Sequence, residues 1–404
     1  MAFVAALWAV TIFRRSGPGG SNLPELDESF VNLMLLMPLQ YLCIIPHELG
    51  HVAGARLVGI DVLKISFGRG RRIARWLIGS VPIELHPIPI AGFVVGSTAS
   101  TRLWRLRRIV FSASGPLANL VLVIAGIALG GGWDRFINYA SWIHEISPWQ
   151  DLDVANLVLL LSALVPQKVQ FVHGETASDG LKLYGLLFKP LPSVAARRKI
   201  DLLVRGLHCM WLDKDRCAIR LLRRALREFP RDNELAVNLA VAMMNAGRHQ
   251  DGIDLVSSGL AVHHTPSAFR ATLLNCSAWA KLMIATPDSI AEAGIESAEA
   301  LRLMPWEASI QSTRGLYLVE TGQVSQAIPL LRQAERGAIL PEQRACVFCS
   351  LAIANLRQGT KHRAAKFIHK ARKLDPNCQL LGRAESEMKS PHWLRLKGSQ
   401  PVGA

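Results

Sequence analysis

The residues best suited to chemistry form one short stretch, His47-Glu48-Leu49-Gly50-His51, which fits the pattern H-E-x-x-H. On a helix, positions four apart project from one face, so the imidazoles of His47 and His51 can share one metal ion. Glu48, one residue on from the first histidine, can reach a metal-held water as general base without ligating the metal. A catalytic zinc normally takes three protein ligands plus water. The third has three candidates in ALVPQKVQFVHGETASDGLKL: His173, Glu175 and Asp179. Composition alone does not choose between them.

The elements that must position these residues are unusually apolar. Half of the 404 residues are hydrophobic and the mean hydropathy is +0.23, an excess concentrated in the first half. From Phe30 to Ala55 the only formally charged residue is Glu48, and from Ile109 to Trp133 there is none. Both runs exceed the roughly 20 residues that cross a bilayer. A third run, Val154 to Gln167, is shorter and is interrupted by Pro166. An ionisable group inside a spanning helix is costly and marks a site, and here three polar groups fall within five residues.

Charge orients the chain. Residues 56–108 hold ten Lys/Arg against Asp61 and Glu84, whereas 20–28 and 134–153 are acidic on balance. By the positive-inside bias the basic segment faces the cytoplasm. Three spans then leave everything after about residue 175 on that side. The expectation is an integral protein of a bacterial inner (plasma) membrane with its C-terminal half in the cytoplasm. The opening MAFVAALWAVTIFRR lacks a basic region ahead of its apolar run and reads as a retained apolar segment. The net charge of +15 raises the question of nucleic acid. No Lys/Arg stripe interleaved with aromatics occurs, so no nucleic-acid partner is expected.

The second half is repetitive. Pro230, Pro266, Pro305, Pro341 and Pro376 recur at spacings of 36, 39, 36 and 35, with paired amphipathic segments between them. Gly247, Gly322 and Gly359 fall at mid-repeat turns, and the repeat containing Pro287 is the most degenerate. A helix–turn–helix unit of this period suggests tetratricopeptide-like repeats stacked as a solenoid over about 199–380, a surface for a protein partner. Seven scattered cysteines argue against a disulfide framework, and Cys346-Val347-Phe348-Cys349 reads as buried thiols in a helix.

Taken in order, several motifs resemble the site-2 protease family of intramembrane zinc metalloproteases. HELGHVAGARLVGI is followed by basic ISFGRGRR, then by PIPIAGFV (87–94), similar to the family's membrane re-entrant loop. SGPLANL (114–120) matches the family's G-P-x-A-N element, and ASDG (177–180) matches its Asp-Gly. The resemblance covers about 40–185 and implies that His47, His51 and Asp179 bind zinc (Zn2+), with Glu48 catalytic and Asn119 positioning substrate. One departure stands out: Ala163, in ALVP, occupies the position of the family's Asn in Asn-x-x-Pro, and Asn156 lies two helical turns earlier.

The fold expected is mainly α. A polytopic membrane zinc-protease core of about three spans plus a short β-like re-entrant segment precedes a cytoplasmic helical repeat solenoid. The expected divisions are 1–28, an apolar segment; 29–190, the membrane metalloprotease domain; 191–385, the repeats; and 386–404, a flexible tail. The activity implied is zinc-dependent cleavage of a membrane-spanning protein or peptide near the cytoplasmic face of the lipid bilayer. The substrate must be extended there, and an edge in 81–95 can receive it by strand addition. The alternative is a membrane-anchored scaffold built on a protease-like fold, for which Ala163 speaks.

Overall fold

The structure, a computed structural model, describes residues 28–100, 102–130, 132–137, 148–171, 174–260 and 266–390. The N-terminal apolar segment up to residue 27, His173 and the tail from 391 lie outside the described residues. The chain divides into two compact units, Met1–Arg198 and Lys199–Ala404.

The first unit opens on α1 (Glu28–Val58), whose C-terminal half carries the H-E-x-x-H residues. A sheet follows, made of β1 (Asp61–Arg69), β2 (Ala74–Ile78), β3 (Val81–Leu85) and β4 (Ile88–Ser97). Then come α2 (Trp104–Leu129), the short α3 (Trp133–Ile137) and α4 (Pro148–Leu164). The hairpin β5 (Lys168–Phe171) and β6 (Gly174–Ala177) leads into α5 (Asp179–Phe188). α1, α2 and α4 pack against one another. Among the described residues α2 alone is long and apolar enough to cross a membrane, and α4 has 17 residues.

The sheet is larger than the short β-like segment expected around 87–94. Its strands run in the order β2-β3-β1-β4, with β1 parallel to β3 (Ile65 opposite Ile83) and antiparallel to β4 (Ile65 opposite Val94). The parallel pairing is invisible locally because β2 intervenes in sequence between its two strands. Ile65, Phe67 and Ile83 close over Ile44 of α1, and Ile60 and Ala55 meet Phe111 of α2. Burying such side chains contributes about 1.5–3 kcal/mol each, which holds the sheet against the motif-bearing helix.

The same sheet buries charge. Lys64 Nζ of β1 lies 2.8 Å from Glu84 Oε2 of β3, and Arg72 reaches Glu84 Oε1 at 3.3 Å. His86 Nε2 stands 3.7 Å from Glu84 Oε2, and the Tyr41 hydroxyl of α1 donates to the His86 carbonyl at 2.7 Å. Burial would raise the Glu84 carboxyl, but the hydrogen bond with His86 and the charges of Lys64 and Arg72 outweigh it and hold it well below the usual carboxylate range. Burial in turn pulls Lys64 down from the ordinary lysine value, against the opposing pull of Glu84.

The second unit is a run of helix pairs. They are α6 (Val194–Trp211), which begins ahead of the division at residue 198, with α7 (Asp215–Glu228); and α8 (Asn233–Asn245) with α9 (His249–Leu260). α10 (Ser267–Ile284) with α11 (Pro287–Leu303), α12 (Ala308–Glu320) with α13 (Val324–Gly337), and α14 (Pro341–Arg357) with α15 (Lys361–Leu374) follow, closed by α16 (Leu381–Lys389). Small residues at the contacts, such as Ala278, Ala293, Ala327 and Ala345, let the helices approach, and Leu316, Leu331, Leu351 and Ile353 fill the core.

The phased glycines are explained by backbone geometry. Gly247, Gly322 and Gly359 sit at the turn within their pairs with φ of +71°, +78° and +75°, a region open to glycine without steric cost. In the degenerate repeat Ala285 holds this conformation at φ +59°, and in the first pair Asp213 does so at +54°. The fold keeps its turn where the sequence drops its glycine.

Candidate metal centre

The two histidines of α1 are fixed by what stands behind them. His47 Nδ1 meets Asn119 Oδ1 of α2 at 2.5 Å, and His51 Nδ1 meets the Phe111 carbonyl at 2.6 Å. Both acceptors require a proton on Nδ1, so each Nε2 is left with its lone pair for a cation. Asp179 Oδ2 lies 3.2 Å from each of these Nε2 atoms. The three donor atoms fall within 4.8 Å of one another, and all three residues are buried.

Asp179 is delivered by the start of α5. Ser178 caps that helix, accepting from the Leu181 amide at 3.1 Å, while its hydroxyl donates to the Val165 carbonyl at 2.7 Å. The Ser178 amide donates to the Gln167 carbonyl, so the aspartate is anchored to the end of α4. Lys182 Nζ lies 3.0 Å from the other carboxylate oxygen, Oδ1, leaving Oδ2 turned toward the histidines.

This donor set fits zinc. Ligands about 2.0–2.1 Å from a tetrahedral zinc sit about 3.3 Å apart, close to the spacing of Asp179 Oδ2 from each imidazole. Space for the ion is kept by Gly115, the glycine of SGPLANL. A Cβ there would collide with His51 Nε2 and stand 2.8 Å from His47 Nε2. The glycine therefore matters for what it leaves empty.

Asn119, expected to position substrate, contacts the first histidine. It is fully buried behind His47, and its Nδ2 donates to Asn156 Oδ1 of α4 at 2.8 Å. Asn156 in turn donates to the Leu152 carbonyl at 2.9 Å. A chain of hydrogen bonds thus runs from α4 through α2 to the His47 ring, orienting the first imidazole. Sequence reasoning set Asn156 aside because it lies two helical turns before Ala163; its actual partner is 37 residues away on another helix.

Glu48 is 2% exposed, and its Oε2 has no hydrogen-bond partner among the described residues. Leaving a buried carboxylate oxygen unsatisfied is costly, as befits a group that awaits a proton. β4 crosses directly over it: a Cβ at Gly92 would lie 2.5 Å from Glu48 Oε1. A cavity of about 160 Å³ joins His47, Glu48, His51 and Asp179 to Gly92 and Phe93 on one side and to Ser162, Ala163 and Gln167 on the other. Of the other candidate third ligands, Glu175 falls on β6 and His173 lies outside the described residues.

The profile of Peptidase family M50 matches residues 36–332, from α1 through the sheet and the metal-donor cluster into α13. The chain belongs to Peptidase family M50. Among curated M50-like relatives, a candidate zinc metalloprotease of Chlamydia trachomatis serovar D is 29% identical over 31% of this chain and 25% of its own length. Another, of Neisseria meningitidis serogroup A, is 26% identical over 33% of this chain and 31% of its own. The chain thus spans about a quarter to a third of the curated relatives it matches.

Solved structures similar to this M50 protein include a thermophilic TPR protein of Thermus thermophilus, with 23% identity and a TM-score of 0.38. It covers 47% of this chain and 98% of that one. MamA of Desulfovibrio magneticus RS-1 gives 18% identity and a TM-score of 0.32, over 44% and 96%. The repeat architecture itself stands on the helix pairs and their shared turns.

Proposed function

We infer that the chain is a zinc-dependent intramembrane endopeptidase that cleaves a membrane-spanning protein or peptide near the cytoplasmic face, with the repeats recruiting or gating substrate. One observation carries this reading: two imidazole nitrogens and a carboxylate oxygen converge beside a buried glutamate oxygen that has no partner among the described residues. His47, His51 and Asp179 would hold the zinc. When bound, the ion supplies Lewis acidity that polarises the scissile carbonyl and acidifies a water. Glu48 accepts that water's proton at Oε2 and passes it to the leaving amine. Asn119 and Phe111 keep the imidazoles oriented through both steps.

A helical substrate hides its carbonyls in backbone hydrogen bonds, so the scissile segment must unwind. β4, an edge strand lying against Glu48, offers a backbone for strand addition. The basic stretch from Arg56 to Arg108 supports a cytoplasmic sheet, with the metal toward that end of α1 and the repeats on the same side. Irregular backbone at membrane depth is tolerated where it lines a wet cavity, as the sheet and the 160 Å³ cavity would here.

The scaffold reading keeps one observation in its favour. Ala163 lines the cavity and brings no polar group to a position where the family carries an amide. Comparative proteomics of membranes carrying wild-type or Glu48→Gln protein separates the two. The peptidase reading expects a single-span protein or remnant peptide to accumulate in the variant. Identical membranes would favour the scaffold.

A further inference from the structure

The Cys346-Val347-Phe348-Cys349 motif has a third member. Cys378, in the turn between α15 and α16, places its sulfur 3.5 Å from Cys346 Sγ and 3.9 Å from Cys349 Sγ, both on α14. Cysteines that merely fill a core pack against carbon and need no donors. Cys378 instead lies within hydrogen-bond reach of two other sulfurs, and its backbone carbonyl accepts from the Leu381 amide at the entrance to α16. Those contacts with Cys346 and Cys349 outweigh burial and pull the Cys378 thiol down. The hydrogen bond with Cys378, and then burial, push Cys346 up. Cys378 and Cys349 are buried, whereas Cys346 is partly exposed.

We propose that Cys378 is a hydroperoxide-reactive cysteine, resolved by Cys346 into a disulfide that ties the α15–α16 turn to α14. The Cys378 thiolate attacks the outer oxygen of a hydroperoxide. The O–O bond breaks, the alkoxide leaves and takes a proton from solvent, and Cys378 becomes a sulfenic acid. Cys346 then gives up its proton and attacks that sulfur. The S–O bond breaks, and hydroxide leaves with the proton as water. Two thiols are oxidised by two electrons while the peroxide is reduced to an alcohol and water. The sulfurs must close from 3.5 Å to about 2.05 Å, within reach of side-chain rotation. Cys349, at 3.9 Å from the same sulfur, can exchange into the bond, so the disulfide is reversible by thiols. A cytoplasmic repeat unit would keep this pair reduced until oxidant appears.

The test uses the purified full-length chain, fully reduced and then treated with hydrogen peroxide, with thiol counting and non-reducing peptide mapping. The proposal expects two of the seven thiols to be lost together and the Cys346 and Cys378 peptides to be joined. Cys378→Ser should slow the fastest thiol loss by about tenfold or more. Cys346→Ser should leave a Cys378 sulfenic acid that dimedone traps, or shift the link to Cys349. Cys217→Ser, outside the cluster, should change nothing, and circular dichroism checks that each variant is folded. A fastest-reacting thiol elsewhere would overturn the proposal. So would stoichiometric zinc or copper that copurifies with wild type and is lost in folded Cys378→Ser, which would make the cluster a metal site.

Discussion

Asn119 shows how one side chain can serve a metal it never touches. Its amide oxygen holds His47 Nδ1 and its amide nitrogen is held by Asn156. Replacing it by alanine removes the acceptor that fixes the ring and its tautomer. Such outer partners are typically worth about 10–100-fold in metal affinity. Asn119→Ala should therefore weaken zinc binding by about that factor in competition with a chromophoric chelator, while the helical content stays unchanged. Unaltered affinity would reduce Asn119 to an interhelical contact.

At this scale the sequence was uneven as a guide. His47, Glu48 and His51 were legible because their relation is local: one helix and one turn. Asp179 lies 128 residues beyond His51, and composition left it level with His173 and Glu175 until a family motif favoured it. Ser178 and Gly115 fell inside matched motifs without a role, because a cap and an empty space are visible only once neighbours are placed.

The mid-repeat turn offers a test at the scale of the element. Ala285 holds φ +59° where three other repeats use glycine. The left-handed region costs a non-glycine residue about 1–2 kcal/mol. Ala285→Gly should raise the repeat unit's stability by about 1 kcal/mol, less the glycine's extra entropy in the unfolded chain, read as a higher denaturant midpoint.

The sheet makes the opposite case, since one charge holds it. Glu84→Gln would leave Lys64 buried without its counter-charge, at a cost of about 3–5 kcal/mol, measured as a lowered unfolding temperature. Its pH dependence has a defined sign. The Glu84 carboxyl titrates lower in the fold than in the unfolded chain, so the stabilisation is complete above about pH 4.3 and fades as pH falls below it. Wild type should lose stability steeply on acidification below that value, and Glu84→Gln should show a shallower slope. The four-stranded sheet was the least legible element. The expectation was a short β-like segment, and the parallel β1–β3 pairing depends on residues that no local window contains. The helix pairs were legible because each repeats the same period and the same turn.

At the scale of the whole molecule, two units with different surfaces share one chain. The first leaves large apolar side chains exposed on its helices, among them Leu117, Val121, Ile124 and Leu129 along α2. Soluble monomers rarely expose such a face, and a bilayer would cover it. The second carries 28 Lys/Arg against 19 Asp/Glu, a balance suited to an acidic partner or to the anionic inner leaflet. The repeats were readable from proline and glycine phasing, and of the charge-free runs the one from Ile109 to Trp133 falls mainly on α2, the helix long and apolar enough to cross a membrane among the described residues. What each unit does for the other lies beyond any local pattern.

The central claim is that His47, His51 and Asp179 form a zinc site whose proton acceptor is Glu48. Metal analysis of the purified full-length protein tests it most directly. The account predicts about one zinc per chain in wild type and in Glu48→Gln, and loss of that zinc in Asp179→Ala and His47→Ala. Wild-type protein that binds no zinc when the metal is supplied, or folded Asp179→Ala that retains it in full, would contradict the account.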